Sequence, residues 1–73
     1  MNIIPIENKS DQTLRVMLEP LTSEYDILPK EKIEIRCNSL ELQIDFWSDG
    51  FLSIWVPADA VVLRDGKLAE QAS

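Results

Sequence analysis

The chain predicts an all-β fold, a small single-domain antiparallel β-sandwich or barrel of about six to eight short strands. Three observations predict it. Alternating runs of apolar and polar residues recur about every ten residues, with polar turns between them. Helical period is not sustained over any useful length, and β-branched Val61-Val62 argues against more than one helical turn near Ala58 to Leu63. Seventy-three residues with 45% hydrophobic content allow one modest globular domain and exclude a disordered chain.

The first strand is expected from Asn2 to Glu7. Pro5 cannot donate to a ladder, so this strand belongs at a sheet edge. Asn8 to Gln12 is a polar turn. Asn8-Lys9-Ser10 matches the glycosylation triplet, but without a secretory leader it reads as that turn. Thr13 to Pro20 alternates, with Leu14, Val16 and Leu18 on one face and Arg15, Met17 and Glu19 on the other. A short strand from Tyr25 to Leu28 leads into a Pro29-Lys30-Glu31 turn. Lys32 to Cys37 alternates again, with Ile33, Ile35 and Cys37 inward.

The stretch Phe46 to Trp55 holds four of the five aromatic residues around one turn. Asp49-Gly50 between hydrophobic runs signals a hairpin, because Gly takes positive φ without a Cβ clash. A three-residue loop, Ser48-Asp49-Gly50, sets Trp47 opposite Phe51, Phe46 opposite Leu52, Ile44 opposite Ile54 and Leu42 opposite Val56. One face is then wholly apolar: Leu40, Leu42, Ile44, Phe46, Leu52, Ile54 and Val56. The other holds Glu41, Gln43, Asp45, Trp47, Phe51, Ser53 and Trp55. A two-residue loop would mix polar and apolar residues on both faces. Register follows the hydrophobic pattern, so the three-residue loop is expected, with Gly50 in the left-handed region. Beyond Pro57, Ala60 to Arg64 is a further strand, and Asp65-Gly66 turns into a short strand at Lys67-Leu68. The domain is expected over residues 1–68, with 69–73 a frayed tail.

The formal net charge is −6. From Arg36 to Arg64 there are four acids, Glu41, Asp45, Asp49 and Asp59, and no basic residue between. That field disfavours nucleic acid, whose binding rests on Lys and Arg, and anionic membrane surfaces. It favours a partner with a basic surface. One cysteine permits no internal disulfide. The N-terminus has no signal-peptide pattern and no apolar run is long enough for a membrane span, so the cytoplasm is the expected compartment.

The run from Asn8 to Ile35 has an asparagine turn, a strand ending Leu18-Glu19-Pro20, a tyrosine strand, Leu28-Pro29 and a rising strand. It resembles small bacterial β-sandwich proteins of unknown function, with a strand order similar to immunoglobulin-like or cupredoxin-like domains. The resemblance covers under half the chain and implies a fold class and no activity. Where such sequences often place Gly after the proline, this one has Lys30.

Catalytic chemistry finds little support in the residues. There is no histidine, so neither a cupredoxin copper site nor a His-activated nucleophile can be built. Zinc needs several Cys or His ligands, and the one cysteine, Cys37, alternates with core residues. The two glycines, Gly50 and Gly66, both sit in turns rather than in a phosphate loop. Asp45 and Asp49 lack the oxygen-ligand spacing of a calcium loop. Glu41 and Asp45 lie about 13 Å apart along a strand, too far to act on one bond. The expectation is therefore no enzyme, no cofactor and no metal. What remains is a protein-interaction module, with Trp47, Phe51 and Trp55 as anchors beside Glu41, Gln43 and Asp45. Its partner would be a protein with a basic surface or a second copy of the chain. The alternative is a binder of a carbohydrate or cationic compound, since Trp faces stack on sugars and attract cations. A concave groove would favour a small ligand and a flat face a protein.

Overall fold

The computed structural model describes residues 1–39, 41–47 and 50–72. Among these residues there are eight strands and no helix: β1 (Asn2–Glu7), β2 (Leu14–Glu19), β3 (Ser23–Ile27), β4 (Lys32–Cys37), β5 (Gln43–Phe46), β6 (Phe51–Trp55), β7 (Val61–Arg64) and β8 (Lys67–Leu68). They form two four-stranded sheets, ordered β1-β4-β7-β8 and β3-β2-β6-β5. The all-β expectation holds. Pro5 lies on an edge strand, as its missing N–H requires.

Side chains from both sheets meet in one core. Val16, Leu18, Tyr25, Ile27, Ile54 and Val56 come from the second sheet and its margin, and Ile33, Ile35 and Val62 from the first. Their period-two spacing along β2, β4 and β6 is the pattern that one buried face imposes on a pleated strand. Cys37 is buried and its thiol donates to the Ser39 carbonyl at 3.0 Å.

One pair departs from the antiparallel expectation. β2 and β6 run parallel, with Arg15 beside Phe51, Met17 beside Ser53 and Glu19 beside Trp55. Between them the chain leaves for the first sheet at β4 and returns through β5. Parallel neighbours need such a crossover, and no hairpin signal in the sequence can announce it.

The hairpin register is as expected. Asp45 faces Ser53, Ile44 faces Ile54 and Phe46 faces Leu52. The Trp47 N–H donates to the Phe51 carbonyl at 3.0 Å. Gly50 has φ +77°, and its carbonyl accepts the Arg15 N–H at 2.8 Å, tying the hairpin to the start of β2. The other two residues of the expected loop, Ser48 and Asp49, lie outside the described residues, as do Leu40 and Ser73.

The apolar hairpin face is only partly core. Leu42 and Leu52 pack against the core, and Ile54 and Val56 are within it. Ile44 and Phe46 remain 58% and 72% exposed. β5 is the last strand of its sheet, so its inner face overhangs the core instead of sitting over its centre.

Asn8 organises one end of the sandwich. Its side chain is buried; Nδ2 donates to the carbonyls of Gln12 (2.7 Å) and Ile27 (2.8 Å). Its Oδ1 accepts from the Ser10 N–H and hydroxyl. Both amide protons are thus in use, and the folded chain offers no free amide for a glycan. The nearby turn places Lys30 at φ +69°, the conformation that favours glycine. At the other turn Asp65 and Gly66 both take positive φ, the geometry of a tight hairpin. Beyond β8, Ala69 donates to the Val62 carbonyl and Ala72 to the Glu24 carbonyl, so 69–72 passes from one sheet to the other.

Candidate functional site

The outer face of the β3-β2-β6-β5 sheet can be traced as cross-strand rows. One row runs Asp26, Arg15, Phe51, Trp47. The next runs Glu24, Met17, Ser53, Asp45, and the third Glu19, Trp55, Gln43. Trp47, Phe51 and Trp55 therefore share one face with Gln43 and Asp45. Glu41 precedes β5 and is exposed, with its N–H donating to Ser39 Oγ.

The two indoles are open to solvent, Trp47 at 61% and Trp55 at 46%, and Phe51 is half-buried. Trp47 is four residues from Phe51 across the turn, and Trp55 four residues further along β6. The two indoles are thus anchored about 13 Å apart along the strand direction. Between them lies an open depression of about 740 Å³, lined by Met17, Glu19, Gln43, Asp45, Ser53 and the three aromatic rings.

The floor is Ser53, a buried serine. Its Oγ accepts the Trp47 indole N–H at 3.0 Å. That bond satisfies the one polar atom of the ring and fixes its orientation against the sheet. Gln43 Nε2 donates to both Asp45 carboxylate oxygens, at 3.2 and 3.4 Å. The first row ends in an ion cluster. Arg15 donates through Nε and a terminal nitrogen to the two oxygens of Asp26, and through the other terminal nitrogen to Glu24. The hydrogen bond from Arg15 holds the Asp26 carboxyl below its ordinary range, and the charge of Arg64 adds to this. The only basic group in these rows is therefore already matched by two acids. Glu19 and Asp45, among the rings, have no described cationic partner.

Met17 and Glu19 complete the site, and sequence reasoning did not include them. Their outward position on β2 was legible from alternation, but their place beside Trp55 and Ser53 depends on the parallel β2–β6 pairing. Among the described residues no group of three or more His, Cys, Asp or Glu side chains is placed to hold a metal ion. Among the described residues no helix is long and apolar enough to cross a membrane. Comparison with protein-family models, curated proteins and solved structures gives no match.

Proposed function

We propose that the chain is a non-enzymatic protein-interaction module whose outer β3-β2-β6-β5 face docks a basic protein surface. The observation that carries this is the pair of half-open indoles anchored about 13 Å apart along the strands, with Asp45 in the row between them, Glu19 beside Trp55 and no described element over them. Aromatic anchors with large, rigid contact area are the usual source of binding energy in protein interfaces. Lysine or arginine side chains of the partner would lie over the rings and meet the carboxylates, combining cation–π and ionic attraction. Trp47 is held in advance by Ser53, so little ordering is required on binding. The same acidic surface disfavours nucleic acid and anionic membranes, and the cytoplasm is the compartment we assign.

The alternative is a small carbohydrate or cationic ligand, favoured by the concavity between Trp47 and Trp55. The protein reading is preferred because the depression is open and the two rings are anchored far apart along the strands. Affinity capture from native lysate, wild type beside Trp47→Gln/Trp55→Gln, distinguishes them. A basic protein held by the wild type, lost by the variant and released by salt supports the proposal. Equal capture by both proteins refutes it.

A further inference from the structure

β5 closes its sheet, and among the described residues no strand lies beyond it. The Trp47 N–H points to β6, where it meets the Phe51 carbonyl. Backbone direction alternates along an antiparallel strand. The N–H and C=O groups of Asp45 and Gln43 therefore also face β6, and those of Ile44 and Phe46 face outward. These same two residues have the exposed side chains that overhang the core. Natural edges are usually blunted by proline, lysine or a bulge. β1 has Pro5, whereas β5 reads Gln-Ile-Asp-Phe and has no such guard.

We propose that β5 pairs antiparallel with β5 of a second copy, about a two-fold axis at Ile44, joining two four-stranded sheets into one of eight strands. The occupant follows from self-complementarity. Outward-facing backbone groups must oppose one another, so Ile44 meets Ile44 of the second copy and Leu42 meets Phe46. Gln43 then lies opposite Asp45, an amide against a carboxylate, and Glu41 opposite Trp47. A register centred on Asp45 would set two carboxylates directly opposite, which is destabilising. One centred on Phe46 would run Ile44 past the end of β5. The Ile44 register alone pairs the whole strand, opposes no like charges and buries both copies' Leu42, Ile44 and Phe46 in one stripe. The contact is isologous and closes at two. It leaves the outer face free, so it stands independently of the proposed partner docking. Net charge of −6 on each copy opposes association, so added salt strengthens the dimer by screening.

Light scattering over a dilution series tests this. The wild type should approach twice its 8.3 kDa monomer mass, at lower concentration when salt is raised. Ile44→Lys/Phe46→Lys should remain monomeric and melt where the wild type melts at dilutions that leave it monomeric, since both side chains are exposed. Ile44→Cys supplies a second test that needs no loss of binding. The pair on the axis would lie about 5.5 Å apart between Cα atoms, within disulfide reach, and Cys37 is buried. Mild oxidation should therefore cross-link Ile44→Cys and leave Gln43→Cys largely without the covalent link. A wild type that stays monomeric throughout, or a dimer that survives Ile44→Lys/Phe46→Lys, overturns the proposal. A dimer abolished by Trp47→Gln/Trp55→Gln but not by the β5 changes also overturns it, and transfers self-association to the aromatic face.

Discussion

The indole N–H of Trp47 donates to Ser53 Oγ at 3.0 Å, so a half-open aromatic ring is fastened to a buried hydroxyl on the neighbouring strand. The bond joins fold to site, because the β5–β6 register that packs Ile54 inward places Ser53 outward under the ring. Ser53→Ala removes the acceptor while water can still reach the exposed indole. The expected stability loss is about 0.5–1.5 kcal/mol. Fluorescence anisotropy of Trp47, measured with Trp55→Phe in both proteins, should fall as the ring gains freedom. Unchanged anisotropy would show that the bond does not hold the ring.

Gly50 is the hinge of that register. A Cβ there would lie 3.1 Å from the Thr13 carbonyl oxygen, a backbone atom, at a φ of +77°. Gly50→Val combines a tight contact with left-handed strain and should cost roughly 1–3 kcal/mol in denaturant unfolding. A loss well below this would mean that the turn has another conformation.

At the same end of the sandwich, Asn8→Ala removes a donor from the buried Ile27 carbonyl, one of two donors from the Gln12 carbonyl, and the acceptor for Ser10. Leaving buried polar groups unpaired typically costs about 1–3 kcal/mol. Asn8→Asp should be worse at neutral pH, since a carboxylate would face two carbonyl oxygens. Equal stability of Asn8→Asp and wild type at neutral pH would contradict the clasp.

The Arg15–Asp26 pair has a pH signature. Asp26 titrates below its ordinary value of 3.8 in the folded chain. A depressed carboxyl adds stability that is present above the unfolded value and is lost as pH falls through the folded one. The wild type should therefore exceed Asp26→Asn in stability at neutral pH, with the gap closing as pH drops from about 3.8. Asp26 is partly exposed, so screening by solvent keeps the gap small. A gap that widens under acid would reverse the sign and remove the ion pair from the account.

Much of the architecture was legible because alternation reports one buried face. Val16, Leu18, Ile33, Ile35, Ile54 and Val56 all went inward as their period requires. The hairpin register was legible because only one loop length kept polar and apolar residues apart. Two things were not. The parallel β2–β6 pairing brings Met17 and Glu19 to the aromatic rings, and strand pairing across a crossover leaves no local trace. The exposure of Ile44 and Phe46 was hidden as well, because alternation identifies a face but not whether another layer covers it. Lys30 takes positive φ, at +69°, without a glycine to announce it.

The outer aromatic face is tested most directly by Trp47→Gln/Trp55→Gln, with melting followed by circular dichroism beside capture of the basic partner. Both rings lie outside the core cluster, so the double variant should fold with a melting temperature near that of the wild type. Loss of an anchor in an interface typically costs about 2 kcal/mol or more, so capture should fall by well over tenfold. A variant that is folded and still captures the partner fully would contradict the account. So would one that unfolds, because it would return both indoles to a structural role.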